Sequence, residues 1–100
     1  VNRNPRQGLK WMMAAARKRY APAEAFMGDA YWTGRLVAQD RTRAIMYYIL
    51  AAQSANALEN PEIFDRLELM RSAVREDQLL EAEARARVWD KQFPVQGKTE

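Results

Sequence analysis

Apolar positions along this chain recur at three- and four-residue intervals, and no segment alternates apolar with polar residues over the length of a strand, so the pattern predicts helices and no sheet. Asn4 before Pro5 and Asn60 before Pro61 each set a capping side chain ahead of a proline at the first helical position. Asp40 is a third cap candidate. From these starts, helices are expected near residues 5–18, 22–34, 40–54, 60–72 and 76–92, joined by short connections. The Ala, Met, Leu, Glu and Arg content of these segments favours helix throughout. Residues 94–100 are polar apart from Val95 and contain Gly97, so they are expected to fray as a flexible tail.

Sliding the sequence against itself by 36 residues brings Val1 onto Val37, Asn4 onto Asp40, Gly8 onto Ala44 and Trp11 onto Tyr47. The same offset carries Ala15 and Ala16 onto Ala51 and Ala52, and Ala21 onto Ala57. Caps, small residues and aromatics repeat together at a period suited to a stacked helix pair. The expected fold is therefore all-α: about five helices, as antiparallel pairs stacked into an α/α solenoid.

Composition narrows the chemistry. The chain has 100 residues, 48% of them hydrophobic and 29% charged, which fits one small helical domain rather than a disordered segment. It contains no cysteine and no histidine, which removes thiolate nucleophiles, disulfides, the commonest general base and the commonest metal ligands. No phosphate-cradling glycine loop or metal-ligand spacing is present either, so no enzyme activity, cofactor or metal is expected. The longest apolar run, Ala44 to Ala52, is half of the ~18 residues that suggest a membrane-spanning helix, so no transmembrane segment is expected. The chain opens Val1-Asn2-Arg3-Asn4, without an initiator methionine or a signal-type run, which suggests a processed or excised piece of a longer parent.

The stretch from Ala23 to Ala44 resembles a Sel1-like repeat. That family's unit places alanine, then leucine-glycine, tyrosine, two loop glycines with a valine, an aspartate and an alanine at set spacings. Ala23, Met27-Gly28, Tyr31, Gly34, Val37, Asp40 and Ala44 stand at those positions, followed by Tyr47 or Tyr48 and Ala51-Ala52. Each has a physical reason: Gly28 and Ala44 let helices approach closely, Tyr31 and Tyr47 fill the space between helix pairs, Gly34 ends a helix and Asp40 caps the next. The chain departs from the pattern at Leu36, in place of the second loop glycine, and at Arg19 and Ala55, where glycine often follows the second helix. On this resemblance residues 1–20 are the second helix of a preceding repeat, 21–56 a complete repeat and 57–93 a degenerate final pair. Gln78 to Ala82, with Ala86 and Trp89, is similar to the terminal helix of bacterial Sel1-like proteins, and its charged residues suit a C-terminal cap that faces solvent.

Candidate surfaces follow. Arg6, Lys10 and Arg17, joined by Arg3, Lys18 and Arg19, form a basic side of the first helix in a chain of net charge +3. A nucleic-acid partner is disfavoured because the stripe is expected to lack an exposed stacking aromatic, and solvated cations complementing the helix end are the plainer reading. Met12, Met13, Met27 and Met46 are expected in the core rather than on a pliable binding surface. Within the second helix, Ala23, Met27, Ala30, Tyr31 and Gly34 form the packed stripe and leave Asp29 and Trp32 on another side. The family resemblance places Glu24, Asp29, Trp32 and Arg35 near a concave groove. There Trp32 is either an exposed anchor or packs against the helix at 60–72.

The resemblance implies a non-catalytic protein–protein interaction scaffold holding a protein or peptide in that groove, such as a regulatory adaptor for a sensor kinase at a bacterial envelope. Several alphaproteobacterial members are periplasmic regulators, so a periplasmic setting is expected, with the cytoplasm left open by the absence of cysteine. A structural module that self-associates through the first helix is the alternative reading: Leu9, Trp11 and the neighbouring methionines lack cover in this piece.

Overall fold

The computed structural model describes residues 5–56 and 58–95, with side chains from residue 7 onward. Five helices follow one another: α1 (Pro5–Arg17), α2 (Ala21–Thr33), α3 (Arg41–Ser54), α4 (Pro61–Ser72) and α5 (Glu76–Gln92). Among the described residues there is no strand, and each helix begins and ends within one residue of the expected bounds.

Local chemistry accounts for these bounds. Gly34 closes α2 in the left-handed conformation (φ 74°), and its N–H donates to the Ala30 carbonyl. The Asp40 side chain opens α3 by accepting from the Arg43 N–H at 3.1 Å, and the Asp40 N–H reaches back to the Tyr31 carbonyl at 2.9 Å. Asn60 precedes α4, but its side chain makes no capping bond. The neighbouring Asn56 shapes that turn instead, accepting from the Leu58 N–H at 2.8 Å, while Pro61 fixes the first helical dihedral. Asn4 and the end of the expected tail, residues 96–100, lie outside the described residues.

α3 is the hub of the fold. It packs against α2, α4 and α5, whereas α1 packs on α2. Its residues Ala44 to Tyr48, Leu50 and Ala51 are buried, so the longest apolar run in the sequence is a helix surrounded on most sides by protein. None of the described helices is long and apolar enough to cross a membrane. Around α3 the core adds Met27 from α2, Ile63, Leu67 and Met70 from α4, and Ala82 and Ala86 from α5. Met46 is buried with them, and Met12 and Met13 are half-buried against the same core. Four rings tie the layers together: Tyr31 stacks on Tyr47 (5.8 Å between centroids), Tyr47 meets the edge of Trp89 (5.4 Å), and Trp89 packs on Phe93 (5.0 Å).

Helices α2 and α3 approach closely at Gly28. A Cβ there would overlap the Tyr48 ring and come within 3.1 Å of the Ala44 carbonyl. The small residues expected to let these helices meet do so.

Two consequences are measurable. Gly28→Ala forces the Tyr48 ring to move and should cost about 1–3 kcal/mol, read as a lower urea midpoint at unchanged slope. Burial pushes the Tyr47 phenol up to about 12, and burial together with Asp29 pushes Tyr48 up as well. Unfolded tyrosines ionise near 10, so stability is complete below that pH and is lost as pH rises through the folded values. Tyr47→Phe should therefore flatten the decline of stability between pH 10 and about 12, followed by thermal melts across that range.

Candidate functional site

A groove runs between α2 and α4. From α2 it is lined by Phe26, Asp29, Ala30, Trp32 and Thr33, from the following loop by Arg35 and Leu36, and from α4 by Arg66, enclosing about 470 Å³. It continues past Trp32 along α4, where Asp65, Leu69 and Met70 line a second depression. The spacing within α2 explains its lining. Glu24, Met27, Gly28 and Tyr31 fall at steps of three and four on the side facing α3, which leaves Phe26, Asp29, Trp32 and Thr33 turned toward α4.

Trp32 stands between the two expected placements, exposed and packed. It is half-buried, one side packed against the core, while the ring also lines both depressions. The Arg41 guanidinium covers it 4.9 Å from the centroid, and the Gln39 amide donates to its carbonyl at 2.8 Å. Asp29 is the polar anchor of the groove. It accepts from the Tyr48 hydroxyl at 2.7 Å and faces the Arg66 guanidinium at 3.5 Å, so one carboxylate links α2 to both α3 and α4. Arg35 sits exposed on the rim. Arg66 and Phe26 belong to the groove although the sequence did not single them out. The available signal was in α4, where the buried set Ile63, Leu67 and Met70 leaves Arg66 on an adjoining side.

Glu24 does not line the groove. It is 0% exposed, on the side of α2 turned toward the core, where its carboxylate accepts from Arg19 Nε at 2.7 Å. The expectation of a partner-binding Glu24 is thus corrected, and its spacing ahead of Met27 and Gly28 is the reason. Arg19 is corrected with it: far from being a solvated cation, it is 5% exposed. Its guanidinium also donates to Asp90 (2.6 Å), the Phe93 carbonyl (3.0 Å), the Leu50 carbonyl (3.3 Å) and the Gln53 side chain (3.2 Å). The backbone at Arg19 has φ 65°, the conformation a glycine adopts most easily, whereas Ala55 at −90° needs no glycine. Burial pushes the Glu24 carboxyl up, while Ser54 and Arg19 beside it pull it back.

The basic first helix is only partly described. Arg3 and the side chain of Arg6 lie outside the described residues; Lys10 and Arg17 are exposed. Lys10 and Lys18 flank Trp11, which is 71% exposed, so the stripe does present an aromatic after all. Among the described residues no cluster of acidic side chains is placed to hold a metal ion.

Residues 1–20 and 21–56 match the model of the Sel1 repeat family, over half of the chain. The chain belongs to the Sel1 repeat family. No curated protein and no solved structure matches it. Sel1 repeats generally mediate protein–protein interactions and are typically non-catalytic modules. In this Sel1 protein the complete matched unit is α2 with α3, so the groove lies on the first helix of that unit.

The buried ion pair sets a stability test. Arg19→Ala leaves the buried Glu24 carboxyl without its cation partner and should cost about 3–5 kcal/mol, whereas Arg17→Ala, on the surface, should fall within about 0.5 kcal/mol of wild type. Urea unfolding of the two variants measures the contrast, and pairing Arg19→Met with Glu24→Leu should recover part of the loss.

Proposed function

We propose that this Sel1 protein is a non-catalytic scaffold that holds a segment of a partner protein in the groove between α2 and α4. The observation that carries the proposal is Trp32, which packs against the core and stacks with Arg41 yet still lines the open groove. A rigid aromatic set among arginines is the composition that dominates binding energy at protein interfaces. Arg35 and Arg66 on either side of an apolar floor favour a partner segment that combines an apolar side chain with acidic ones. Asp29 takes part by holding Arg66 and Tyr48 in place.

The finer role we propose is that of a regulatory or signalling adaptor, acting on an envelope partner such as a sensor kinase from the periplasmic side of a bacterial membrane. What supports it is the similarity of the α5 sequence to the terminal helix of bacterial Sel1-like proteins. In the same reading, residues 57–93 close the array as its last helix pair.

Capture from bacterial envelope extract tests the groove, with wild type compared against Trp32→Ala and an Arg6→Glu/Lys10→Glu/Arg17→Glu variant. Truncating the anchor should cost about 2 kcal/mol or more, roughly a thirtyfold loss of affinity for the captured protein. If only the charge reversal releases the partner, the basic helix is the working surface and the groove reading fails.

A further inference from the structure

The outward side of α5 has no role in the groove or the core. α5 packs inward through Leu79, Ala82, Ala86 and Trp89. On the opposite side stand Asp77, Leu80, Glu81, Ala84, Arg87, Val88 and Lys91, spaced by three, one, three, three, one and three residues, which is the seam one helix offers another. All seven are exposed, Leu80 at 58% and Val88 at 66%. Leucine and valine thus stand in water at two of its central positions.

The order of residues along this seam identifies what it fits. Ala84 is the midpoint of Glu76–Gln92. Three residues to either side stand Glu81 and Arg87, four to either side Leu80 and Val88, and seven to either side Asp77 and Lys91. The seam is a palindrome with the charge inverted across its centre. Turned about a two-fold axis through Ala84, a second α5 running antiparallel would lay Leu80 on Val88 of the other copy, Glu81 beside its Arg87 and Asp77 beside its Lys91. A parallel pair would instead set acid against acid. The small Ala84 at the axis permits close approach.

We propose that the outward side of α5 is a homodimer interface, occupied by α5 of a second copy of this chain in antiparallel, two-fold arrangement. The two exposed ion pairs that Asp77 and Glu81 now make, with Arg75 and Arg85, lie at the surface and cost little to exchange. A helix of this length is about 26 Å long, and one such seam buries less than the ~1,200 Å² of a standard stable interface. The dimer is therefore weak, concentration-dependent and sensitive to salt. This interface differs from pairing through α1, whose exposed Trp11 shows no comparable self-complementary order.

Sedimentation equilibrium of the full chain at low salt, over a wide concentration range, tests the proposal. Glu81→Arg and Arg87→Glu each create two like-charge contacts in a symmetric dimer and should each weaken self-association about tenfold. The combined Glu81→Arg/Arg87→Glu variant inverts the palindrome without destroying it and should restore dimerisation. A mixture of the two single variants should form a heterodimer that neither forms with itself. Both substitutions lie on the surface, and thermal melts confirm that the three variants fold. A chain that stays monomeric at every concentration overturns the proposal, as does a double variant as weak as the singles. Dimerisation lost with Trp11→Ala and indifferent to the α5 changes overturns it as well and assigns pairing to α1.

Discussion

A buried guanidinium joins parts of this molecule that are far apart in the chain. Arg19 stands in the turn between α1 and α2, and its five hydrogen bonds reach Glu24 in α2, Leu50 and Gln53 toward the end of α3, and Asp90 and Phe93 at the end of α5. A cation near two helix C-termini also meets the negative ends of their dipoles. Withdrawing such a charge from water is costly, and only this many partners in good geometry offset it. The turn holds a left-handed backbone conformation at a residue that disfavours it, and in that conformation the guanidinium reaches all of these groups. That anchoring ties the end of α5 to α3 beside the contact of Tyr47 with Trp89 and of Trp89 with Phe93.

A second polar centre works in the same way at the groove. Gly28 admits the Tyr48 ring against α2, and that approach brings the Tyr48 hydroxyl to Asp29, which in turn faces Arg66 across the groove. The groove wall is thus fixed to the core by a glycine, a phenol and a carboxylate. A partner binding there would meet a surface already ordered, which lowers the entropic cost of association. Trp32 gains from the same rigidity.

Groove and seam together describe a scaffold with two kinds of contact. In the proposed reading, the groove takes a partner segment, while the α5 seam joins two scaffolds. Two grooves held in one dimer convert the second of two binding events into an intramolecular one, so a weak dimer still strengthens the grip on a partner that offers two segments. Neither surface calls for catalytic chemistry, in keeping with a Sel1 repeat module.

The sequence by itself determined the five helices, their bounds, the roles of Gly28, Gly34 and Asp40, and the family. The helices and caps rest on short-range physics, since capping, a left-handed glycine and three- and four-residue periodicity act over a single turn; Gly28 and the family were legible in the spacing of the repeat motif. The same periodicity contained the burial of Glu24, three and four positions ahead of Met27 and Gly28, but the charge of the side chain concealed it. Tertiary structure alone decided that Arg19 leaves the surface, since its partner Asp90 lies most of the chain away. It also decided that Arg66 completes the groove, that Asn56 rather than Asn60 shapes the turn before α4, and that Trp32 is both packed and presented. A helical period says which residues share a side of a helix; what that side meets is fixed only when distant helices pack and buried charges find their partners.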